Sequence, residues 1–252
     1  MSSTVSRFDG RAEAYASARP AYAPALMEWL QSAYHLGPGS VVADIGAGTG
    51  KFTTQLLALG ATVYAVEPNA EMRAQAEIFL KESKRLQILE GTASATTLPE
   101  HHFDFVCAAQ AFHWFDVTAF QKECRRLLKP DGLVVLVWNT REATAPVNKA
   151  WAAVYARYCP EFKGFMNGLQ SDDAKIQKFF AGQYVHKVFP APLHFDQEGF
   201  IRRSLSSSYS LKPGEPNFDA YIESLQKVFA AYAEEGVIAI ANISEAYVGQ
   251  PG

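Results

Sequence analysis

A glycine-rich segment, Asp44–Gly50 with the sequence Asp-Ile-Gly-Ala-Gly-Thr-Gly, carries the strongest chemical signal in the chain. It follows a β-branched run and precedes a helical pattern, so its backbone can approach a ligand at a helix N-terminus. The dinucleotide fingerprint GxGxxG needs a glycine at Lys51, and the phosphate loop needs one more residue before its Gly-Lys pair. Both patterns fit poorly, and a tight turn without a ligand stays an alternative.

An acidic residue, Glu67, stands at the end of the next apolar run, 17 positions after Gly50. In a parallel sheet this position lies beside the glycine segment, where a carboxylate can accept hydrogen bonds from both hydroxyls of a ribose. Methyltransferases and dehydrogenases both use a carboxylate in this way. Glu67 therefore supports nucleotide binding without separating the two enzyme classes.

Several motifs together resemble the class I S-adenosylmethionine-dependent methyltransferases. The first motif of that family has the spacing GxGxG with an acidic residue two positions ahead, as in Asp44–Gly50. Gly91–Ala93 reads Gly-Thr-Ala where the family often has Gly-Asp-Ala, and Gln110–Asp116 and Leu127–Gly132 follow in the expected order. The small-molecule branch, which contains trans-aconitate methyltransferase, has an N-terminal pattern similar to Phe8, Ala12, Tyr15, Arg19, Pro20 and Tyr22. The resemblance covers roughly residues 8–140.

The resemblance implies that S-adenosylmethionine is the methyl donor. Arg19 would pair with the methionine carboxylate, and Thr92, in place of the usual aspartate, would offer the adenine a backbone N–H or a hydroxyl. The implied donor-binding residues are Arg19, Asp44, Gly46, Ala47, Gly48, Gly50, Glu67, Pro68, Thr92, Ala93 and Gln110.

Three further residues are candidates for the acceptor side: His113, Trp114 and Tyr15. A methyl sulfonium is already activated, so a general base is needed only if the acceptor must lose a proton. His113 suits that role because the reference pKa of histidine is about 6.5. It is equally compatible with a hydrogen-bonded wall residue beside Trp114. We expect no metal site, since no cluster of carboxylates accompanies these residues.

A small organic acceptor is favoured over macromolecules. The segment after the fourth strand, Gln110–His113, lacks the Asn/Asp-Pro-Pro-aromatic or Pro-Cys pattern of base-modifying DNA methyltransferases. It also lacks the paired glutamates of protein arginine methyltransferases. Two alternatives from other classes stay open: a non-catalytic S-adenosylmethionine-binding protein and, disfavoured by Lys51, a nucleotide-dependent oxidoreductase.

Composition agrees with one enzyme domain. The 252 residues are 48% hydrophobic, and a net charge of -3 gives no basic face for nucleic acid or acidic membranes. The three cysteines have no CxxC spacing, which fits a reducing cytoplasm. We expect neither a signal peptide nor a membrane span. The oligomeric state is left open.

The elements that position these residues alternate as strand and helix between residues 40 and 139. Strands are predicted at 40–45, 61–66, 86–89, 103–109 and 133–138, and a closing, antiparallel pair at 184–195 and 237–248. This predicts an α/β fold with a doubly wound, Rossmann-like, mostly parallel seven-stranded sheet, an antiparallel closing strand and a helical lid. The single domain 1–252 divides into an N-terminal arm (1–39), a donor-binding core (40–140), a lid with acceptor-pocket segments and one sheet strand (141–235), and the closing strand (236–252).

Overall fold

The structure, a computed structural model, describes residues 20–80, 83–165, 173–207 and 209–252. In chain order its elements are α1 (Pro24–Tyr34), β1 (Val41–Ile45), α2 (Lys51–Ala58), β2 (Thr62–Val66), α3 (Ala70–Leu80), β3 (Leu86–Leu89), β4 (Phe103–Ala109), a one-turn 3-10 helix (Phe112–Trp114), α4 (Val117–Leu127), β5 (Leu128–Arg141), α5 (Pro146–Tyr158), α6 (Asp173–Phe179), β6 (Val185–Pro190), β7 (Leu193–Phe195), α7 (Gln197–Leu205), α8 (Phe218–Tyr232), β8 (Ala233–Glu234), β9 (Val237–Ile240) and β10 (Asn242–Gly249).

The main sheet has seven strands in the order β3-β2-β1-β4-β5-β10-β6 and is mostly parallel with one antiparallel strand, as predicted. β1 pairs in parallel with β2 on one side and with β4 on the other, so Asp44 lies opposite Ala65 and Cys107. The strand order reverses between β1 and β4, which is where ligands of doubly wound sheets bind. The candidate site residues follow the carboxyl ends of these strands.

Caps and turns explain several helix boundaries. The Asn69 side chain accepts a hydrogen bond from the Met72 N–H at 3.0 Å, which confirms the predicted start of α3. Asp116 caps α4 in the same way through the Ala119 N–H at 2.7 Å. α7 was not predicted, although its cap Asp196, which accepts from the Gly199 N–H at 2.7 Å, is a visible signal.

Three sequence predictions need correction. The closing segments 184–195 and 237–248 each divide between two sheets, because β7 and β9 pair with each other in a separate three-stranded sheet, β7-β9-β8. Pro190 and Pro192 remove backbone donors between β6 and β7, which favours a break there. Phe79, predicted to face the sheet from α3, is 50% exposed. β5 begins at Leu128, and the predicted turn at 129–132 is a register shift within the strand.

The described residues divide into two compact units, those within 20–139, 173–189 and 244–252, and those within 140–165 and 190–243. The first unit carries the seven-stranded sheet around a core that includes Phe103, Phe112 and Phe120. The second packs α5, α7 and α8 around Trp151 and Tyr155. The single domain with a lid at 141–235 stays a prediction. Within the described ranges, no helix is long and apolar enough to cross a membrane.

Candidate functional site: the donor loop and its neighbours

The glycine segment forms the connection from β1 to α2. Gly46 and Gly48 have φ angles of +71° and +59°, which L side chains rarely adopt. A Cβ at Gly46 would lie 2.7 Å from the Cβ of Ala111, so the loop packs against the segment after β4. A Cβ at Gly48 would meet no atom within 4 Å. The loop is therefore closed toward the protein at Gly46 and open at Gly48.

Glu67 follows β2 directly and faces the glycine loop. Its side chain is 9% exposed, and its two carboxylate oxygens accept hydrogen bonds from the N–H groups of Gly48 and Asn69, each at 2.9 Å. Burial raises the pKa of Glu67, while the bonds from Asn69 and Gly48 and the charge of Arg73 lower it. Each carboxylate oxygen has a further lone pair, so a fixed Glu67 can still accept hydroxyl groups.

Asp44, the fourth residue of β1, is fully buried beneath the loop. Its Oδ2 accepts a 2.6 Å hydrogen bond from the hydroxyl of Thr53, and its Oδ1 has no partner among the described residues. The pKa of Asp44 is raised to about 7, mainly by burial; the Thr53 bond acts to lower it and the charge of Glu67 to raise it. An unpaired buried carboxylate oxygen is costly, so this atom is suited to a donor group of a ligand.

The loop after β3 leaves only part of the predicted contact with adenine available. The N–H of Thr92 donates to the carbonyl of Ala95 at 3.1 Å, and the Thr92 hydroxyl lies 3.3 Å from that of Ser94. Thr92 is exposed and Ala93 half-buried. Because the backbone N–H of Thr92 already has an acceptor, it is not available for a base, and the hydroxyl of Thr92 is the remaining predicted donor.

Gln110, His113 and Trp114 stand on the segment that follows β4. Gln110 has a φ of 54°, and its side-chain amide donates to the carbonyl of Asn139 at 2.6 Å. The rings of His113 and Trp114 have centres 4.8 Å apart, whereas Phe112 between Ala111 and His113 is fully buried. The 3-10 helix thus anchors itself with Phe112 and presents His113 and Trp114 on its outer side.

Two positioning residues were missed by sequence reasoning. Asn139, near the end of β5, donates to the carbonyl of Ala21 at 3.1 Å and accepts from the hydroxyl of Ser244 at 2.5 Å. Arg73 donates to the carbonyls of Glu67 and Pro68 at 2.8 and 2.9 Å. Polar residues one turn into a helix or near a strand end carry no motif that would have pointed to them.

Two predicted residues of the N-terminal arm, Tyr15 and Arg19, lie outside the described residues. The chain that follows them is tied to the donor loop's helix, since the N–H of Tyr22 donates to the side chain of Gln55 at 3.0 Å. The Gln55 amide returns a 3.0 Å hydrogen bond to the carbonyl of Tyr22. Residues 20–22 are therefore held beside α2.

The described residues fit an adenosyl donor that carries ribose hydroxyls and an ammonium group. Glu67 offers oriented carboxylate oxygens, and Asp44 offers an unpaired one. Gly48 leaves space where a side chain would stand. The individual roles of these residues, and of Ala47, Gly50 and Pro68 beside them, stay predictions.

Comparison with known proteins gives matches consistent with this geometry. The family described as "Methyltransferase domain" matches residues 43–136, which span β1 to β5. A methyltransferase-like protein of Schizosaccharomyces pombe is 33% identical over 202 residues, covering 80% of this chain and 78% of that protein. The ubiquinone biosynthesis O-methyltransferase of Rhodopseudomonas palustris is 32% identical over 109 residues, 43% of this chain and 40% of that enzyme. Other methyltransferase relatives match over about half of their length, 52–53%.

A solved structure shares the fold. The structure described as a type II methyltransferase from Anaeromyxobacter dehalogenans superimposes with a TM-score of 0.67 at 20% identity, over 92% of this chain and 97% of that chain. The match in sequence over most of the S. pombe protein decides between the methyltransferase and oxidoreductase interpretations. The chain belongs to the class I S-adenosylmethionine-dependent methyltransferases and is an enzyme of that family, with S-adenosylmethionine as its methyl donor.

Proposed function

We propose that this methyltransferase transfers the methyl group to a small organic acceptor that binds at the loop after β4. Trp114 carries the proposal. It is 42% exposed on the short helix that directly follows β4, although its neighbour Phe112 is fully buried. A half-exposed indole at this edge of the sheet provides an apolar surface for a small, flat molecule.

Charge and relatives support the same acceptor class. A net charge of -3 supplies no basic surface for a nucleic acid. One relative is named as an O-methyltransferase of ubiquinone biosynthesis, which is a small-molecule reaction.

The described cysteines, Cys107, Cys124 and Cys159, are free and buried, in agreement with a cytoplasmic location.

The bound donor supplies a methyl group on a positively charged sulfur, which is already activated for displacement. The chain's own contribution is then to bind and orient. Asp44, Glu67 and the open side of the loop at Gly48 hold the donor, while the segment Gln110–Trp114 holds the acceptor in line with the transferred methyl group. Fixing two reactants in this way replaces a bimolecular encounter by an oriented one.

His113 is the proposed base where the acceptor carries a proton that must leave. Its ring lies beside Trp114 on the outer side of the 3-10 helix, so both side chains face the same region. A carboxylate acceptor needs no base, and His113 would then contribute contact only. The predicted roles of Tyr15 over the acceptor and of Arg19 at the methionine carboxylate stay predictions, because both residues lie outside the described ranges.

Methyl-transfer assays over a panel of small acids, phenols and amines test the proposal, with formation of S-adenosylhomocysteine as the readout. DNA, RNA and protein substrates form the comparison set. We expect turnover with at least one small-molecule class and none with the macromolecules. Turnover confined to a macromolecule would overturn the proposal, while leaving the family assignment intact.

A further inference from the structure

Arg141, the last residue of β5, lies in the second unit against a corner made by two aromatic rings. Its guanidinium carbon is 4.7 Å from the ring centre of Trp151 and 4.3 Å from that of Phe165. The two ring centres are themselves 5.1 Å apart. Cation–π contact of this kind covers part of the guanidinium and leaves its in-plane N–H groups as the polar edge.

These N–H groups have no protein acceptor in the part of the chain that the structure describes. The Nε atom is buried and makes no hydrogen bond, and no described carboxylate forms an ion pair with Arg141. The side chain as a whole is half-buried, so its outer nitrogens stay accessible. A desolvated cation without a counter-charge is costly, and proteins keep such groups where a ligand completes them.

The nearest charged and titratable groups do not neutralise Arg141. The pKa of Arg141 is lowered to about 10, mainly by burial and then by the positive charge of Arg203, while the hydroxyls of Tyr209 and Tyr155 act to raise it. The Tyr155 hydroxyl is already committed, since it donates to the carbonyl of Ser204 at 2.8 Å. At neutral pH the guanidinium is charged, and its surroundings are cationic and aromatic.

We propose that Arg141 binds the carboxylate of a small acid with a flat apolar body, as a ligand site within the second unit. This inference goes beyond the proposed function and does not assign the methyl acceptor to this site. A guanidinium matches a carboxylate with two parallel N–H···O bonds, and these bonds are short and strong because both partners are charged. Phe165, which is half-buried, supplies apolar surface beside the guanidinium, whereas Trp151 is buried and only supports it.

Benzoate and its neutral twin benzamide are suitable probes, because they differ in charge and hardly in shape. Each is added at millimolar concentration to the 252-residue protein saturated with S-adenosylhomocysteine, and the melting temperature is recorded. We expect benzoate to raise the melting temperature and benzamide to leave it unchanged, since only a ligand of the native state stabilises it. Equal responses to both probes would overturn the proposal.

Variants of Arg141 test whether benzoate binds at this residue. Arg141→Gln should weaken benzoate binding roughly ten- to hundredfold, and Arg141→Lys should lose less because it keeps the charge. Arg202→Gln is the matched control: this arginine of α7 is 75% exposed and pairs with Glu198 on the surface. Benzoate binding should be unchanged in the control. Unweakened binding in Arg141→Gln would contradict the assignment.

Stability separates a binding role from a structural one. Arg141→Met keeps the length of the side chain and removes the unpaired charge, so we expect a melting temperature equal to or above that of the wild type. Loss of folding in both Arg141→Met and Arg141→Gln would show that the cation is structural and would overturn the proposal. A protein that binds benzoate through Arg141 and methylates no small molecule would instead refute the proposed function.

Discussion

Glu67 accepts hydrogen bonds from two backbone N–H groups that belong to different loops, one at Gly48 and one at Asn69. The carboxylate therefore fixes the glycine loop against the end of β2 before any ligand binds. The lone pairs that these two bonds leave free can still accept hydrogen bonds from a ligand. This is why a single strand-end acid can contribute both to the fold and to the proposed contact with the donor ribose.

The variant Glu67→Gln replaces one acceptor oxygen by an amide that faces a backbone donor. We expect the free energy of unfolding to fall by about 1–3 kcal/mol and the affinity for S-adenosylhomocysteine to fall roughly ten- to hundredfold. Urea unfolding and titration calorimetry measure the two effects. Glu77→Gln, a change at an exposed residue of α3, is the control and should change neither. Unaltered ligand affinity in Glu67→Gln would remove Glu67 from the donor site.

The raised pKa of Asp44 predicts that the stability of the protein and its affinity for the donor depend on pH. Its pKa rises from 3.8 to about 7 on folding, so between these values the native state binds a proton that the unfolded state has lost. The stabilisation from the neutral carboxyl is complete below pH 3.8 and is lost as the pH rises through about 7. A donor whose ammonium group faces Oδ1 favours the ionised form of Asp44, whereas the charge of Glu67 opposes it.

The affinity for S-adenosylhomocysteine should therefore increase as the pH approaches about 7 and level off above it. Calorimetry in buffers of different ionisation enthalpy should detect protons released on binding at slightly acidic pH. Asp44→Asn should bind more weakly and release fewer protons. Proton uptake, or an affinity of the wild type that is independent of pH, would contradict the placement of Asp44 at the donor.

At the scale of elements, two glycines of the β1–α2 loop have different surroundings, since Gly46 packs against the protein and Gly48 faces open space. Gly46→Ala adds a methyl group 2.7 Å from the Cβ of Ala111, whereas the same change at Gly48 meets no atom within 4 Å. Both substitutions carry the strain of a positive φ, about 1–2 kcal/mol. Gly46→Ala should lose roughly a further 1–3 kcal/mol of stability from overpacking. Gly48→Ala should lose mainly ligand affinity, because its methyl group enters the open side of the loop.

Chemical unfolding and calorimetry of the two variants provide the comparison. We expect Gly46→Ala to lose more stability than Gly48→Ala. Relative to its loss of stability, Gly48→Ala should lose more ligand affinity than Gly46→Ala. If Gly48→Ala binds S-adenosylhomocysteine as tightly as the wild type, the open side of the loop is not where the donor lies.

The loop after β4 makes a different prediction, on the acceptor side. Trp114→Ala removes the half-exposed indole and should raise KM for the small-molecule acceptor without changing the affinity for S-adenosylhomocysteine. Trp114→Phe keeps an aromatic face and should retain most of the wild-type KM. Steady-state kinetics with an acceptor found in the panel measures both. Equal KM values in all three proteins would place the acceptor elsewhere.

The sequence predicted the elements of the donor-binding core well because each has a local signal. β3 begins and ends at the predicted residues, and α3 starts after Asn69 as its side chain indicates. The prediction was incomplete where pairing is not local. Segments 184–195 and 237–248 do pair, through β6 and β10 in the main sheet, but their β7 and β9 parts form a separate sheet. Nothing in a short apolar run states which of two sheets its backbone will join.

The same distinction holds for the candidate site. Asp44, Gly48 and Glu67 were identified from spacing, because the motif encodes a loop that the backbone must form. Asn139 and Arg141 were not identified, since an asparagine or arginine near a strand end has no pattern of its own. Their importance follows only from what surrounds them: carbonyls and hydroxyls at Asn139, and two rings without an acceptor at Arg141.

At the scale of the whole molecule, the two compact units have separate hydrophobic cores. The core of the first includes β1 and β4, and that of the second includes α5 and α8. The proposed donor-binding residues among the described part of the chain all belong to the first unit. Units with their own cores can open with different free energies, and a ligand stabilises the one that must be intact to bind it.

Hydrogen exchange with and without ligand tests this difference. S-adenosylhomocysteine at about 100 times its dissociation constant should stabilise the native state of the binding unit by roughly 2.7 kcal/mol. We expect the slowest amides of β1 and β4 to gain that protection and those of α5 and α8 to gain little. NAD at the same concentration, as the control, should protect neither set. An equal gain in all four elements would show that the two units unfold as one, and would support the single domain predicted from the sequence.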